Sequence, residues 1–275
     1  MPELPEVETI RRSLQTLIGR RCKNLWLSDL APVETTRPLQ LRQRLEGRTV
    51  AAIERRGKYL LLTVDGGASL VIHLGMSGRL LFRQEPESPR AKHTHMVITF
   101  EDQGELSLTD ARRFSTFSLA DDPSGRGNLF LQRLGPDALD PSLTPEQFCE
   151  RARRHPGLSL KNLLLNQSVI AGLGNIYACE ALYTAALSPK RRVRRTNTAE
   201  LQGLFRAIGI ILQRGIQHGG TTLRDYIDGR GNRGKMKDFL QVYGRDGMTT
   251  LDGRGRVKRI VQTQRSTWFS PEVQR

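Results

Sequence analysis

Cysteine is scarce in this chain, and what there is does not pair. Only Cys22, Cys149 and Cys179 occur among 275 residues, and none stands in a CxxC spacing. That argues against a disulfide framework and a cysteine zinc site, and it predicts a reducing, intracellular setting. No apolar run approaches the roughly 20 residues of a membrane span. The start, MPELPEVET, is acidic and Pro-rich, unlike a secretory leader. Internal repeats and low-complexity tracts are missing as well. Acidic residues are the last shortage: 28 Asp plus Glu face 43 Lys plus Arg, a formal charge of +15. An excess of that size favours a polyanion, because each neutralised phosphate releases condensed counterions. The basic residues are spread along the chain rather than gathered on one amphipathic helix or terminal tract, which makes an anionic membrane a poorer fit.

What is present begins with helical spacing. Val7, Ile10, Leu14 and Leu17 fall on one face, and Gly19 ends the run. Strand patterns then dominate to about residue 120: 58–64 and 69–74 flank Asp65-Gly66-Gly67, and 96–100 and 105–108 flank Asp102-Gln103-Gly104. One helix followed by serial hairpins predicts an antiparallel β-sandwich or barrel. The character changes at LGPDALDP (134–141), which reads as a linker. Thr144-Pro145-Glu146-Gln147 and Asn197 with Glu200 are helix starts, the second opening a helix through Leu201, Leu204, Phe205, Ile208, Ile211 and Leu212. Shorter helical runs lie around 160–166 and 176–185. The last 35 or so residues return to Gly-rich, basic, strand-like sequence. The fold class expected is multidomain α+β. Residues 1–134 form a β-rich domain, 135–144 a linker, 145–235 a helical domain with a loop, and 236–275 a β-hairpin.

Pro2 is the most informative residue. A small second residue permits removal of Met1, which would leave proline with a free secondary amine. An α-amino group has a pKa near 8, so a useful fraction is an unprotonated nucleophile at neutral pH. Attack on a sugar C1′ gives an iminium ion, which acidifies C2′ and permits β-elimination. Glu3 and Glu6 stand beside it, able to move protons. Read alone, proline and acids at a helix start serve capping equally well.

PELPEVET (2–9) resembles the N-terminus of the formamidopyrimidine-DNA glycosylase family, whose proline is the Schiff-base nucleophile. The resemblance recurs, in order, at RRGKYLLL (55–62), HLGMSG (73–78), DARRF (110–114), GLGNIYACEAL (172–182), GGTTLRDY (219–226), YGRDG (243–247) and QRSTWFSP (264–271). It implies an N-terminal β-sandwich, a helix-two-turns-helix domain and a terminal finger hairpin. It also implies a bifunctional glycosylase and β,δ-lyase that excises oxidised purines, 8-oxoguanine and formamidopyrimidines, from damaged double-stranded DNA. The enzyme is expected to be a monomer, to need no cofactor, and to work in the cytoplasm at the nucleoid.

The resemblance assigns roles residue by residue. Pro2 is the nucleophile, Glu3 the acid–base residue, Glu6 a support of the recognition complex, and Lys58 a contact to the DNA backbone at the catalytic end. His73, Asn175 and Arg265 are phosphate contacts. Met76, Arg112 and Phe114 fill the void left when the base is extruded, a step that costs a few kcal/mol of unstacking and pairing. Without the resemblance Lys58 reads as an exposed lysine, His73 as a packed histidine, Met76 and Phe114 as core, and GLGN as a capped helix after a Gly turn. Residues 228–235 (DGRGNRGK) would be the loop that closes over the everted purine.

Two departures from the family pattern stand out. Ala111 replaces a usual proline in DARRF. Thr249, Asp252, Ser270 and Val273 occupy the places of the family's four zinc cysteines, so tetrahedral thiolate coordination is lost and no metal is expected. That resembles a zincless finger, with Val257, Ile260, Val261, Trp268 and Phe269 as candidates to hold it by packing. Alternatives are an endonuclease VIII-like glycosylase for oxidised pyrimidines and a non-catalytic protein that binds damaged DNA. MPELPEVET and the GGTTLRDY segment favour purines.

Overall fold

The computed structural model describes residues 1–122 and 127–275. Its elements fall into two compact units, one of Met1–Gln132 with Gly219–Lys235, the other of Arg133–His218 with Met236–Arg275.

Unit one opens with helix α1 (Leu4–Ser13), which presents Val7 and Ile10 to the core. Leu14 and Leu17 extend that face through a short 3-10 turn, and Gly19 then adopts φ +89°. The strands are β1 (Cys22–Leu27), β2 (Val50–Arg56), β3 (Tyr59–Val64), β4 (Ser69–His73), β5 (Arg79–Arg83), β6 (Thr94–Phe100), β7 (Glu105–Thr109) and β8 (Thr116–Ala120). They form two antiparallel sheets in the orders β1-β6-β7-β5 and β2-β3-β4-β8. Register places Leu60 against Ile72, Leu62 against Leu70 and Ile98 against Leu106. These side chains and the apolar face of α1 share one core, so of the sandwich or barrel that the hairpin pattern predicts the chain forms the β-sandwich. A helix not anticipated from sequence, α2 (Pro38–Leu45), buries Leu41 and Leu45 completely one turn apart. The short α3 (Leu129–Gln132) closes the first run of this unit.

Unit two is helical: α4 (Pro145–Arg153), α5 (Leu160–Leu165), α6 (Asn175–Thr184) and α7 (Thr198–Gln217). Both helix starts read from sequence are reciprocal capping boxes. Thr144 Oγ1 accepts from Gln147 N at 3.2 Å while Gln147 Oε1 accepts from Thr144 N at 3.0 Å. Asn197 and Glu200 exchange the same pair of bonds, each 2.8 Å. Phe205 of α7 meets Phe148 of α4 at 5.4 Å. The chain ends in the hairpin β9 (Lys258–Gln262) and β10 (Arg265–Phe269), turned by Thr263 and Gln264 at φ +49° and +60°.

Two segments sit apart from their neighbours in sequence. Gly135 N donates to Gln167 O, Ala171 N to Pro136 O and Ala138 N to Ala171 O, all within 3.0 Å, so 135–138 is built into unit two. A Cβ on Gly135 would stand 2.4 Å from Ser168 O, which explains the glycine. Residues 219–235, grouped with the helices on sequence, lie in unit one because their amides and Tyr226 bond to α1. Among the described residues no helix is long and apolar enough to cross a membrane.

Candidate active site and nucleic-acid interface

The start of α1 is a buried acidic cap. Met1 is exposed, Pro2 beneath it is buried, and Glu3 and Glu6 are 2% and 1% exposed. Glu6 Oε2 accepts from Glu3 N at 2.8 Å, fixing the N-cap, and its Oε1 accepts from Thr221 N at 2.6 Å. One carboxylate thus fastens both the helix start and the 219–235 segment. The Tyr226 hydroxyl, shared by Glu6 O (3.3 Å) and Gly219 O (3.1 Å), reinforces that joint. Burial, then the neighbouring Glu6 carboxylate, pushes the Tyr226 pKa far up, so it stays a donor. Gly220 has φ +83° with Glu6 and the Tyr226 ring 3.0 Å from where a Cβ would stand. Ser13 Oγ accepts from Gly229 N at 2.9 Å at the other end of the helix.

α1 is also tied to β2. Glu8 receives Arg11, Arg12 and Arg55 at 2.8–3.2 Å. Burial pushes its pKa up, but the hydrogen bonds from Arg11 and Arg12 and the charges of Arg11 and Arg55 outweigh this and hold it at about 2.

Lys58 and His73 come together at the β2–β3 turn, where Gly57 has φ +59°. Lys58 is 8% exposed. The His73 ring lies against Tyr59 at 4.8 Å, and its Nδ1 accepts from Gly75 N at 3.2 Å. The neutral ring then carries its proton on Nε2, as a donor. Burial, and after it the Lys58 charge, lowers the His73 pKa to about 4. His73 is therefore uncharged at pH 7. Its NMR titration should fall near 4 rather than the usual ~6.5. The unfolded chain binds this proton first, so the stability His73 contributes is complete above ~6.5 and is lost as pH falls to about 4. A midpoint near 6.5 in the folded protein would contradict this geometry.

Asp110, a buried residue given no role on sequence, builds the loop that carries Arg112 and Phe114. Its carboxylate accepts from Arg112 N (3.1 Å), Phe114 N (2.8 Å), Ser115 N (2.7 Å) and the Ser77 hydroxyl (2.5 Å). Burial pushes its pKa up and these donors, Ser77 first, bring the balance below the ordinary value. The Ser77 bond joins this loop to the 74–78 loop that carries Met76. Gly75 completes the junction: a Cβ there would lie 2.2 Å from Phe114 O. The side chains themselves are not packed. Met76 is 45% and Phe114 48% exposed, and the Arg112 guanidinium lies 4.7 Å over the Phe114 ring. The default assignment of Met76 and Phe114 to the core is therefore corrected: the loop backbones are fixed while these side chains stand in solvent.

In unit two, Asn175 is the first residue of α6, and its Nδ2 donates to Ser266 O at 2.8 Å. Asn175 thereby holds β10 beside the exposed Arg265. At the hairpin turn Thr263 and Asn162 of α5 are joined by side-chain hydrogen bonds. Glu180, fully buried and unassigned on sequence, accepts from the amides of Gln241, Val242 and Tyr243 at 2.8–3.0 Å, anchoring the strand of chain that leads into the hairpin.

The four positions aligned with zinc cysteines do not fit a metal. Asp252 is committed to the Tyr183 hydroxyl (2.6 and 2.8 Å), to Thr250 (2.7 Å) and to Arg254 (2.8 Å). Ser270 donates to Glu272. Val273 packs with Trp268 and Tyr243 on a buried cluster of Cys179, Tyr183, Val242 and Val257. Thr249 offers only a weak hydroxyl ligand. Of the residues expected to hold the hairpin, Val257 and Phe269 are buried, whereas Val261 is 68% exposed and contributes nothing.

A β-sandwich opening on a buried Pro-Glu cap, followed by a helical unit with a basic hairpin, defines a helix-two-turns-helix protein. Residues 1–117 match the model of the formamidopyrimidine-DNA glycosylase N-terminal domain, and 134–226 that of the formamidopyrimidine-DNA glycosylase H2TH domain. The formamidopyrimidine-DNA glycosylase of Solibacter usitatus is 38% identical over 275 residues, the whole of both chains. That of Symbiobacterium thermophilum is 42% identical, covering all of this chain and 89% of its own length. Among solved structures, a complex between a Lactococcus lactis FPG mutant and a Fapy-dG containing DNA matches with TM-score 0.91 and 32% identity over both entire chains. A complex of the Lactococcus lactis Fpg with an abasic site containing DNA matches at 0.90 and 33%, over 99% of each. The chain belongs to the formamidopyrimidine-DNA glycosylase family.

Proposed function

We propose that this protein excises oxidised purines, 8-oxoguanine and formamidopyrimidines, from double-stranded DNA and then cleaves the strand at the resulting abasic site. The observation that carries the reading is the end-to-end match, with PELPEVET at the start, to a protein solved on Fapy-dG containing DNA. Once Met1 is removed, the Pro2 amine attacks C1′. The N–C1′ bond forms as the glycosidic bond breaks, and the base leaves with the amine proton; the C1′–O4′ bond then opens, O4′ taking a proton, and the nitrogen lone pair gives the iminium ion. The iminium ion withdraws electrons from C2′, a C2′ proton is lost, and the 3′ phosphate departs by β-elimination. A second elimination releases the 5′ phosphate. Glu3, adjacent to Pro2, moves the protons, and Glu6 couples that cap to the 219–235 segment, which covers the extruded base. Lys58, His73, Asn175 and Arg265 hold the backbone, and no cofactor or metal takes part. The protein acts as a monomer in the cytoplasm, at the nucleoid.

Borohydride trapping on duplexes that each carry a single lesion tests the reading. Covalent capture should be strong with 8-oxoguanine and formamidopyrimidine and weak with oxidised pyrimidines. A preference for pyrimidines would move the protein to the endonuclease VIII branch, and no capture on any lesion would make it a binding protein.

The exposure of Met76 and Phe114 supports their use as a wedge. Met76→Ala or Phe114→Ala should lower excision from duplex by roughly 10–100-fold, the worth of the few kcal/mol that unstacking costs. Melting temperature should hardly move, because surface substitutions stay within about 0.5 kcal/mol. A collapse in melting temperature would return both residues to the core.

A further inference from the structure

Unit two carries a dense run of one charge between α6 and α7: Lys190, Arg191, Arg192, Arg194 and Arg195. Its backbone is fixed. Leu160 N donates to Arg191 O (2.8 Å), Val193 N to Leu158 O (3.0 Å) and Arg194 N to Pro156 O (3.1 Å), while Arg153 Nη1 reaches Val193 O (3.2 Å). Val193 is fully buried, so the short 3-10 turn Val193–Arg195 directs its arginines outward. Arg191 is used internally, on Glu200 at 2.9 Å. Arg154, at the end of the neighbouring α4, is likewise spent on Glu150. Lys190, Arg192, Arg194 and Arg195 are different: all are exposed, and among the described residues none has an acidic partner.

The segment also adjoins the hairpin. Gln262 Nε2 of β9 donates to Pro189 O at 3.2 Å, and Lys190 Nζ lies 5.6 Å over the Phe269 ring of β10. Like charges held this close on a fixed backbone repel each other, and an anion relieves that repulsion. A lipid surface is the poorer occupant: Leu187 and Val193 are buried, so the segment itself offers no apolar side chain for insertion.

We propose that Lys190, Arg192, Arg194 and Arg195 form a second phosphate-binding surface, which holds the backbone of duplex DNA beyond the stretch held by the hairpin. The inference rests on the DNA-directed reading above. It lengthens the footprint on undamaged DNA and leaves the chemistry at Pro2 alone.

The test is equilibrium binding to undamaged duplexes, one short and one about two helical turns longer, across a salt series. In the wild type the salt slope should rise with duplex length. The combined variant Lys190→Gln, Arg192→Gln, Arg194→Gln, Arg195→Gln should lose that increment, about 0.9 in slope for each contact removed. Its affinity for the long duplex should drop roughly tenfold or more at low salt, with short-duplex binding kept. A variant with lysine at 192, 194 and 195 should retain the slope, which separates charge from folding. A wild-type slope in the glutamine variant, or equal loss on both lengths, overturns the proposal. Lesion trapping by the wild type is independent of these outcomes, so failure of the glycosylase reading would show separately.

Discussion

Protein that keeps Met1, or carries an uncleaved N-terminal extension, should lose borohydride trapping and strand cleavage on lesion-bearing duplexes by about three orders of magnitude or more, as when a nucleophile is removed and only binding remains. With Met1 in place the Pro2 nitrogen is an amide, and an amide nitrogen is no nucleophile. Removing Met1 turns it into a free secondary amine, less basic than a lysine side chain. An extension should leave the fold intact, because Met1 is 41% exposed and the first fully buried apolar side chain is Leu4. Affinity for an uncleavable abasic analogue should fall far less than trapping does. Pro2→Gly keeps an amine, but a primary one, so capture should slow rather than vanish. Glu3→Gln should separate the steps differently, retaining binding while excision collapses. Full trapping by protein shown by mass spectrometry to retain Met1 would remove Pro2 from the mechanism.

The parts of this site that sequence exposed share one property: local spacing determines them. Val7, Ile10, Leu14 and Leu17 had to form one face, and the capping boxes at Thr144 and Asn197 are read from positions three apart. The hairpins around residues 65–67 and 102–104 follow from turn glycines between apolar runs. What was not legible depends on contacts distant in sequence. Glu6 reaches Thr221 across 215 residues, and nothing in either segment alone announces the pairing. Glu180 looks like one more polar residue of a helix until the amides 241–243 arrive. Asp110 was half visible, since an Asp two to five residues before the amides it caps is a local motif, yet Ser77 and the abutting Gly75 were not. The exposure of Phe114 is likewise a tertiary fact, because side-chain type alone assigns it to the core. Helix α2 carries a readable signal in Pro38 at its start and Leu41 with Leu45, but the strand patterns on either side outweigh it.

The protein should contain no stoichiometric zinc and keep full activity in chelators, while losing DNA binding when Trp268 is truncated. Zinc contributes about 10 kcal/mol or more to the folding of small fingers, so a hairpin without it needs other support. Two kinds are visible. Trp268 of β10 lies 4.4 Å from the Tyr243 ring on the cluster of Cys179, Tyr183, Val242 and Val257. Its contacts are worth roughly 2–3 kcal/mol of burial. Asp252, at a former cysteine position, instead gathers Tyr183, Thr250 and Arg254, and burial is outweighed by these donors, which hold its carboxylate low and charged. The hairpin and the chain leading into it are therefore fastened to α6 by packing and by two carboxylates, Asp252 and Glu180, with Asn162 and Asn175 as further ties. Trp268→Ala should release the packed end, disorder β9 and β10, displace Arg265, and lower DNA affinity by about tenfold or more, the worth of 1.4 kcal/mol and upward. Tyr183→Phe should do less, since it removes one donor from a carboxylate that keeps two others. Hydrogen exchange should show the loss confined to residues 241–275, with the sandwich and α4–α7 still protected. Zinc at one atom per chain, or excision that stops in chelator, would overturn the metal-free hairpin. A Trp268→Ala variant with an ordered hairpin would shift its support to the Asp252–Tyr183 hub, and Asp252→Ala should then produce the collapse instead.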